Sequence, residues 1–550
     1  MTVGDNGAII NVRLRKLCIY VNYSRKAVLY FDFFRRLNSM TTELIADINA
    51  HETRVAMLED GELTEIHVEL RGQERLVGNI YKGRVANILP GMQAAFVDVG
   101  LERNAFLYAG DILADKSDLN FVNDQIDTDK EFQDVNIKDM LKQGQEILVQ
   151  VLKQQGGTKG VKVTTHITLP GRMIVLMPTV DHVGVSGRIG DEKERNRLKD
   201  MIEEIKPEGM GVIVRTAAQN ASREEFMEEI RFLVRMWQQI SNHADFVTAP
   251  RLVHAEETLL FRTIRDRLSN EVDKFIINDK DYYEKAVAVA GITVPNYSGT
   301  IEFYDGKENI FDRFDIEPKI EKALQRKVWL KSGSYLVIDE TEALTVIDVN
   351  TGKYIGEDNL QDTIVNTNIE AADEIARQLR LRDIGGIIVI DFIDMESDES
   401  KEKIVEALKE ALKKDKTKTN VMGITQLGLV EMTRKKVRQR LSALLQTTCE
   451  NCSGSGKVYS AQAMAMRVRR EVHRAVLHSK SNAFVVEVAP PVAKYIVERN
   501  NGNEAILEDF GDKSFYLSIK KDAHMHHIKV TSLADAKKND KTIKDAQIFC

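Results

Sequence analysis

A chain of 550 residues exceeds a typical domain several times over, so roughly three to five folding units are expected. Its 43% hydrophobic and 29% charged residues exclude wholesale disorder, and a formal net charge of -7 excludes a global basic field, so any nucleic-acid site is a local patch. Four cysteines (Cys18, Cys449, Cys452, Cys550) are too few for the disulfide framework of a small secreted protein, and charge breaks every apolar run before the roughly 18 residues a membrane helix needs; a cytoplasmic chain without a membrane span is expected.

Residues 1–39 mix apolar bursts, Leu17 to Val21 and Ala27 to Phe31, with Arg13, Arg15, Lys16, Arg25, Lys26, Arg35 and Arg36. They lack the apolar core and cleavage site of a signal peptide. The expected reading is a start at Met40 with the upstream residues a translated leader or a start-site misassignment, and a basic amphipathic membrane-surface segment is the alternative. Residues 40–74 alternate apolar and polar around Asp60-Gly61, the pattern of a hairpin. Residues 75–167 hold short strands rich in Val, Ile and Phe, broken at Pro90-Gly91, Gly100 and Gly156-Gly157, which predicts a small β-barrel; the acidic stretch Asn123 to Asp139 reads as an insertion loop. Residues 168–257 alternate strand-like runs (Met173 to Met177, Gly211 to Val214) with helix-like runs (Glu192 to Lys206, Ser222 to Ser241), a mixed α/β unit. Residues 258–323 begin helical and continue in short strands.

Residues 324–445 are the most informative. Leu344 to Asp348 is an apolar run ending in aspartate. Asn366 to Arg382 has helical periodicity with Ile369, Ala372, Ile375, Ala376 and Leu379 on one face, and Gly386 to Asp391 is a second buried-type strand that also ends in aspartate. Strand, crossover helix and strand make a βαβ unit with parallel strands. Two carboxylates on the carboxyl edge of neighbouring strands lie about 5 Å apart at Cα and suit one hard cation such as Mg²⁺. Asn350, two residues after Asp348, points to the same side and is placed to orient a ligand or water. By spacing alone, solvated strand ends or helix caps account for the pair equally well.

The runs Val346 to Gly352 (VIDVNTG), Asn366 to Asp383 (NTNIEAADEIARQLRLRD), Gly386 to Met395 (GIIVIDFIDM) and Leu427 to Lys435 (LGLVEMTRK) resemble the catalytic subdomain of the bacterial ribonuclease G/E family. The resemblance runs, with interruptions, from about Thr42 to at least Val458. It implies an α/β and β multi-domain chain. An RNase H-like subdomain in two parts (40–74 and 258–323) would carry an inserted OB-fold RNA-binding barrel (75–167) and a 5′-monophosphate sensor domain (168–257). A DNase I-like catalytic α/β subdomain (324–445), a zinc-link (446–460) and a small C-terminal domain (461–550) would follow. It also implies that Asp348 and Asp391 hold catalytic Mg²⁺ with Asn350 assisting; Asp394 is read as a loop or cap residue.

Cys449-Glu-Asn-Cys452 has the gap of a zinc knuckle but supplies half of a four-ligand site, and reduced thiols or a redox pair remain open from the motif alone. The resemblance implies one structural Zn²⁺ shared between two chains, hence a homodimer or homotetramer, although Glu450 stands where the family usually has proline. It matches Phe96 and Phe106 to a base-stacking pair and Lys153 and Lys159 to backbone-contacting lysines; from its neighbours Ala95 and Val97, Phe96 alone reads as core. It matches Arg215 and Thr216 to a 5′-phosphate pocket and Gly171 and Val175 to its nucleotide cradle, while Ser186-Gly187-Arg188 has one arginine fewer than the family's pair. The implied activity is Mg²⁺-dependent endoribonuclease cleavage of single-stranded RNA (ribosomal, transfer and messenger precursors), favouring 5′-monophosphorylated ends and leaving 5′-phosphate and 3′-hydroxyl products. Without a long charged scaffold after the zinc-link, and with Val-Asn-Thr-Gly around Asp348, the chain is expected to resemble ribonuclease G more closely than full-length ribonuclease E. The alternatives are a non-catalytic RNA-binding regulator and a phosphatase or DNA nuclease using the same carboxylates.

Overall fold

The predicted hairpin forms between Glu52–Glu59 and Glu62–Leu70, where Asp60 and Gly61 take positive φ of 50° and 75°. A two-residue turn matches the twist of its strands only with both central residues in that region, which Asp tolerates and Gly adopts freely. The structure is a computed structural model and describes residues 3–4, 7–14, 17–22, 41–72, 75–112, 137–154, 160–352, 360–497, 506–507, 510, 512–533 and 546–548. Within residues 1–39, strands Gly7–Leu14 and Leu17–Asn22 pair antiparallel, an element the mixed composition did not suggest. The chain divides into two compact units, 1–441 and 442–550.

In the first unit, Thr42–Ile48 pairs antiparallel with Glu52–Glu59 and, on its other edge, parallel with Lys274–Ile277, which in turn pairs with Thr300–Phe303. Strands from residues 42–70 and 274–303 therefore share one five-stranded sheet; helix Leu259–Arg267 packs into its core, and the chain between Leu70 and that helix holds two inserted parts.

The first inserted part is a closed five-stranded, OB-like barrel. Ile80–Leu89, Ala94–Asp98, Ala105–Tyr108, Lys162–Thr164 and Glu146–Lys153 pair in sequence around the ring, and the last returns to the first through Gln150 opposite Ile80. Val85, Val97, Leu107, Val149 and Val163 fill its interior, while the alternate residues face out, as the two-residue period requires. The predicted acidic insertion falls largely in residues 113–136, outside the described residues. The second inserted part is a four-stranded sheet with helices Glu192–Ile205 and Arg223–Phe246. The longer helix starts with a capping box, Ser222 and Glu225 each bonding the other's backbone, and buries Phe226, Ile230, Leu233 and Ile240 on one face.

The remainder of the first unit is a six-stranded sheet in the order Lys327–Trp329, Tyr335–Glu340, Leu344–Asn350, Gly386–Asp391, Val430–Arg434, Thr419–Ile424. Its two middle strands are parallel, joined by helix Leu360–Leu381, so the predicted βαβ unit is present. The helix lays Ala372, Ile375, Ala376 and Leu379 over Ile338, Ile347, Ile388 and Ile390. Each isoleucine contributes about 1.5 to 3 kcal/mol by burial. A one-residue slip would exchange these side chains for the aspartates, so the core fixes the register on which the site depends.

A charged cluster sits where strand Glu62–Leu70 meets the segment after Arg434. Glu65 pairs with Arg267 (2.6 Å) and Arg380 (3.2 Å), and Arg438 donates to His67. Burial, then Arg438, lowers the His67 pKa to about 4, against the opposing pull of Glu65. A histidine whose folded pKa lies below its unfolded value contributes stability that is complete above the unfolded pKa, near 6.5, and is lost as pH falls toward the folded one. Thermal melts should therefore show an acid loss of up to about 3 kcal/mol between those values. His67→Gln should flatten that limb; an unchanged limb would assign the acid sensitivity elsewhere.

The second unit places helix Ala461–His478 against a four-stranded sheet whose central strands, Ala483–Val488 and Ser514–Ile519, are parallel and connected through helix Pro490–Val497. Residues 446–460 lie within this compact unit. No helix among the described residues is long and apolar enough to cross a membrane.

Candidate active site

Asp348 and Asp391 are direct partners across the two parallel strands. Ile347 and Ile390 point into the core, so the aspartates one residue on are exposed on the opposite, open face. One detail differs from expectation: Asp348 does not end its strand, which continues to Asn350. That extra length puts Asn350 on the same face, and its Nδ2 donates to Asp348 Oδ2 at 2.8 Å. Partial burial, then the charges of Asp348 and Asp394, raise the Asp391 pKa. Among the described residues no lysine, arginine or histidine forms an ion pair with Asp348, Asp391 or Asp394, and no three acidic, histidine or cysteine side chains converge as a ready-made metal cage.

The turn after Asp391 is fastened from behind. Asn368, fully buried on the crossover helix, donates to the Ile393 carbonyl (2.8 Å) and accepts from the Ile393 amide (3.1 Å). It thereby sets where Asp394 emerges. Strand Val430–Arg434 is held by Arg434, buried with Asp415 at 2.6 Å and Asp383 at 2.9 Å. Removing one partner of such a pair costs about 3 to 5 kcal/mol.

On the barrel, Phe96 and Phe106 are opposed cross-strand partners, edge to face with ring centroids 6.1 Å apart. Both are half-buried on the outer surface rather than in the core that Ala95 and Val97 fill. Lys153 is exposed at the end of its strand, paired with Lys162; Lys159 lies outside the described residues.

In the α/β unit, Gly171, Val175, Arg215 and Thr216 come together around one strand pair. Val175 opposes Ile213, the Arg215 amide bonds the Met173 carbonyl (2.7 Å), and the Arg215 guanidinium donates to the Gly171 carbonyl. The loop carrying Gly171 is clamped by Glu229, which accepts from the amides of Arg172, Met173 and Ile174; a Cβ on Gly171 would meet Glu229 Oε1 at 2.6 Å. The other arm of Arg215 contacts Asp266 at 2.8 Å. Burial opposes ionisation of Asp266, but Arg265 and Arg215 outweigh it and hold that carboxyl below its usual range.

In the second unit, Cys449 and Cys452 carry free thiols, exposed and half-exposed. Amides of Gly456 and Gly454, with a further contribution from Cys449, pull the Cys452 thiol below its usual pKa, toward the thiolate that binds metals. His524 contacts Asn451 between the cysteines, and His526 packs on Tyr459 at 5.4 Å. A cavity of about 460 Å³ lies beside Cys452, Tyr459 and His526.

The family model for the ribonuclease E/G family matches residues 168–437, and that for an RNase E/G thioredoxin-like domain matches 448–533. Over 481 residues the chain is 42% identical to ribonuclease G of Escherichia coli K12, spanning 88% of this chain and 97% of that protein. The chain belongs to the ribonuclease G/E family. It is 43% identical to ribonuclease G of Haemophilus influenzae over 459 residues, 84% of this chain and 92% of that protein. Against ribonuclease E of E. coli K12 identity falls to 36% over 470 residues, 85% of this chain but 44% of that protein. This family member is therefore closer to ribonuclease G than to ribonuclease E, as expected from its sequence. Sequence reasoning passed over Asn368, whose two bonds reach 25 residues along the chain, and Asp266, 51 residues from Arg215. Neither has a local signature. Asp394 lies outside helix and strand, in keeping with the loop-or-cap expectation, but its charge is felt at Asp391.

Proposed function

We propose that this ribonuclease G/E family member is an endoribonuclease that hydrolyses internal phosphodiesters of single-stranded RNA with a Mg²⁺ ion held by Asp348 and Asp391. The observation that carries this reading is the in-register pairing of the two aspartates on an open sheet face, without a neutralising side chain among the described residues. The donors fit the ion: they are oxygens only, the charge of Asp348 opposes ionisation of Asp391, and Mg²⁺ is commonly held by one or two carboxylates together with substrate phosphate and water. When bound there, the cation supplies polarisation of the phosphodiester and a water of lowered pKa.

The protein's own part is positioning. Asn350 restrains Oδ2 of Asp348 and so aims the other oxygen; Asn368 holds the turn that follows Asp391. Phe96 and Phe106 offer ring surfaces on which bases stack, and Lys153, with Lys159 by the family match, follows the backbone phosphates. Arg215, Thr216, Gly171 and Val175 form the receptor for a 5′-monophosphate, with Asp266 setting the orientation of Arg215. Products would carry 5′-phosphate and 3′-hydroxyl ends, and ribosomal, transfer and messenger RNA precursors in the cytoplasm are the expected substrates. Cys449 and Cys452 would share a Zn²⁺ with the same pair of a second chain, giving a homodimer or homotetramer.

The test is incubation with Mg²⁺ and one unstructured sequence offered as 5′-monophosphorylated RNA, 5′-triphosphorylated RNA and DNA. Internal cleavage of RNA only, faster for the monophosphate, is expected. Equal cutting of DNA, or no cutting, contradicts the enzyme reading; equal rates for the two RNAs would retire the sensor alone.

A further inference from the structure

The strand register extends the open face beyond the aspartates. Lys327 opposes Val337 and Trp329 opposes Tyr335; Val337 in turn opposes Asp348, and Tyr335 opposes Asn350. Directly opposed residues project from the same face of a sheet. One row therefore reads Lys327, Val337, Asp348, Asp391, and the next reads Trp329, Tyr335, Asn350. Burial confirms the parity, because Leu336, Ile338, Ile347 and Val349 all lie in the core on the other side.

Trp329 stands two strands from Asn350, about 10 Å at the spacing of paired strands. Its ring centroid is 5.2 Å from that of Tyr335, inclined at 60°. The Lys327 ammonium lies 4.0 Å from the Trp329 centroid and 3.4 Å from that of Tyr335, so both rings hold the one cation of these two rows. Even with these neighbours the indole is 58% exposed. An aromatic this large normally buries its area. Here the fold leaves it open on the face that a phosphodiester must approach to reach Asp348 and Asp391.

We propose that Trp329 and Tyr335, with Lys327, form a subsite that stacks a base of the single-stranded RNA beside the phosphodiester being cut, with Lys327 meeting an adjacent phosphate. The proposal rests on the endoribonuclease reading. A nucleic acid fits better than a protein side chain, because ring surface and cation together match a base and its phosphate. The Lys327 row leads to the carboxylates, and the row of Trp329 and Tyr335 leads to Asn350 beside them.

Steady-state kinetics on a 5′-monophosphorylated unstructured RNA provide the test, with Kd for a labelled copy measured in an Asp348→Asn background where no cutting occurs. Trp329→Ala should raise KM and Kd by roughly 5- to 150-fold, the equivalent of about 1 to 3 kcal/mol per stacked base. The half-saturating Mg²⁺ concentration should not move, and Trp329→Phe should recover most of the affinity. Lys327→Met should give a smaller loss and a shallower salt dependence. An unchanged Kd in Trp329→Ala overturns the subsite. So does an affinity loss that tracks a change in oligomeric state at matched protein concentration, which would assign the indole to a contact between copies. Absence of cleavage by the wild type strikes the activity instead, and the Kd comparison still decides the subsite.

Discussion

Asp391→Asn is expected to reduce RNA cleavage by about three orders of magnitude or more while leaving the fold intact. A cation that neutralises developing charge is worth several kcal/mol, and each 1.4 kcal/mol or so is a factor of ten in rate. An amide in place of the carboxylate keeps the shape and removes half of the charge that holds the ion. Stability should not suffer, because burial and two neighbouring carboxylates already oppose ionisation at Asp391. Melting should be unchanged or slightly higher, and that separates a chemical defect from a folding one. The same crowding predicts the acid limb of activity. A raised pKa lets protons displace the cation at a higher pH than at an isolated aspartate, so Asp394→Asn should move that limb to lower pH. A limb indifferent to Asp394 would mean that its charge does not reach the site in solution.

Cys449→Ser is expected to abolish zinc binding and reduce the assembly to single chains. Structural zinc sites bind with about 10 to 16 kcal/mol in small peptides at neutral pH, and the binding energy is realised only when all four ligands are in place. One chain supplies two thiols from this knuckle. The lowered pKa of Cys452 favours the thiolate that a metal requires. Metal analysis should give one ion per two chains, and light scattering during chelation should show the assembly fall as zinc leaves. An assembly that persists without zinc would place the interface elsewhere and leave the cysteines as ordinary thiols.

What could be read in advance follows from the range of the forces involved. The two-residue period of a strand is local, so Ile347 and Ile390 in the core and Asp348 and Asp391 outside could be anticipated from a few residues. The crossover helix was legible for the same reason from Asn366 onward in its 3.6-residue period, though it begins at Leu360. The turn at Asp60-Gly61 was legible because few residue pairs tolerate two left-handed conformations. Register between strands was not legible: that Asp348 opposes Asp391 depends on a core assembled from both strands and the helix. Residues whose role is to hold another segment escaped for a related reason. Asn368 and Asp266 act through single bonds to distant positions, and neither interrupts a periodic pattern. Trp329 and Tyr335 carry no local signature, and only sheet order places them in the row of Asn350. At Phe96 the apolar neighbours alone point to core, whereas strand parity turns the ring outward, the side on which the family match places it.

Mn²⁺ binding followed by electron paramagnetic resonance reads the central interaction without relying on turnover, because Mn²⁺ accepts the same carboxylate ligands as Mg²⁺ and carries unpaired electrons. The wild-type protein should show a site displaced by Mg²⁺, weakened in either single Asp→Asn variant at 348 or 391 and missing when both are changed. A double variant that retains this Mg²⁺-displaceable site with wild-type affinity would show that the paired aspartates do not hold the ion.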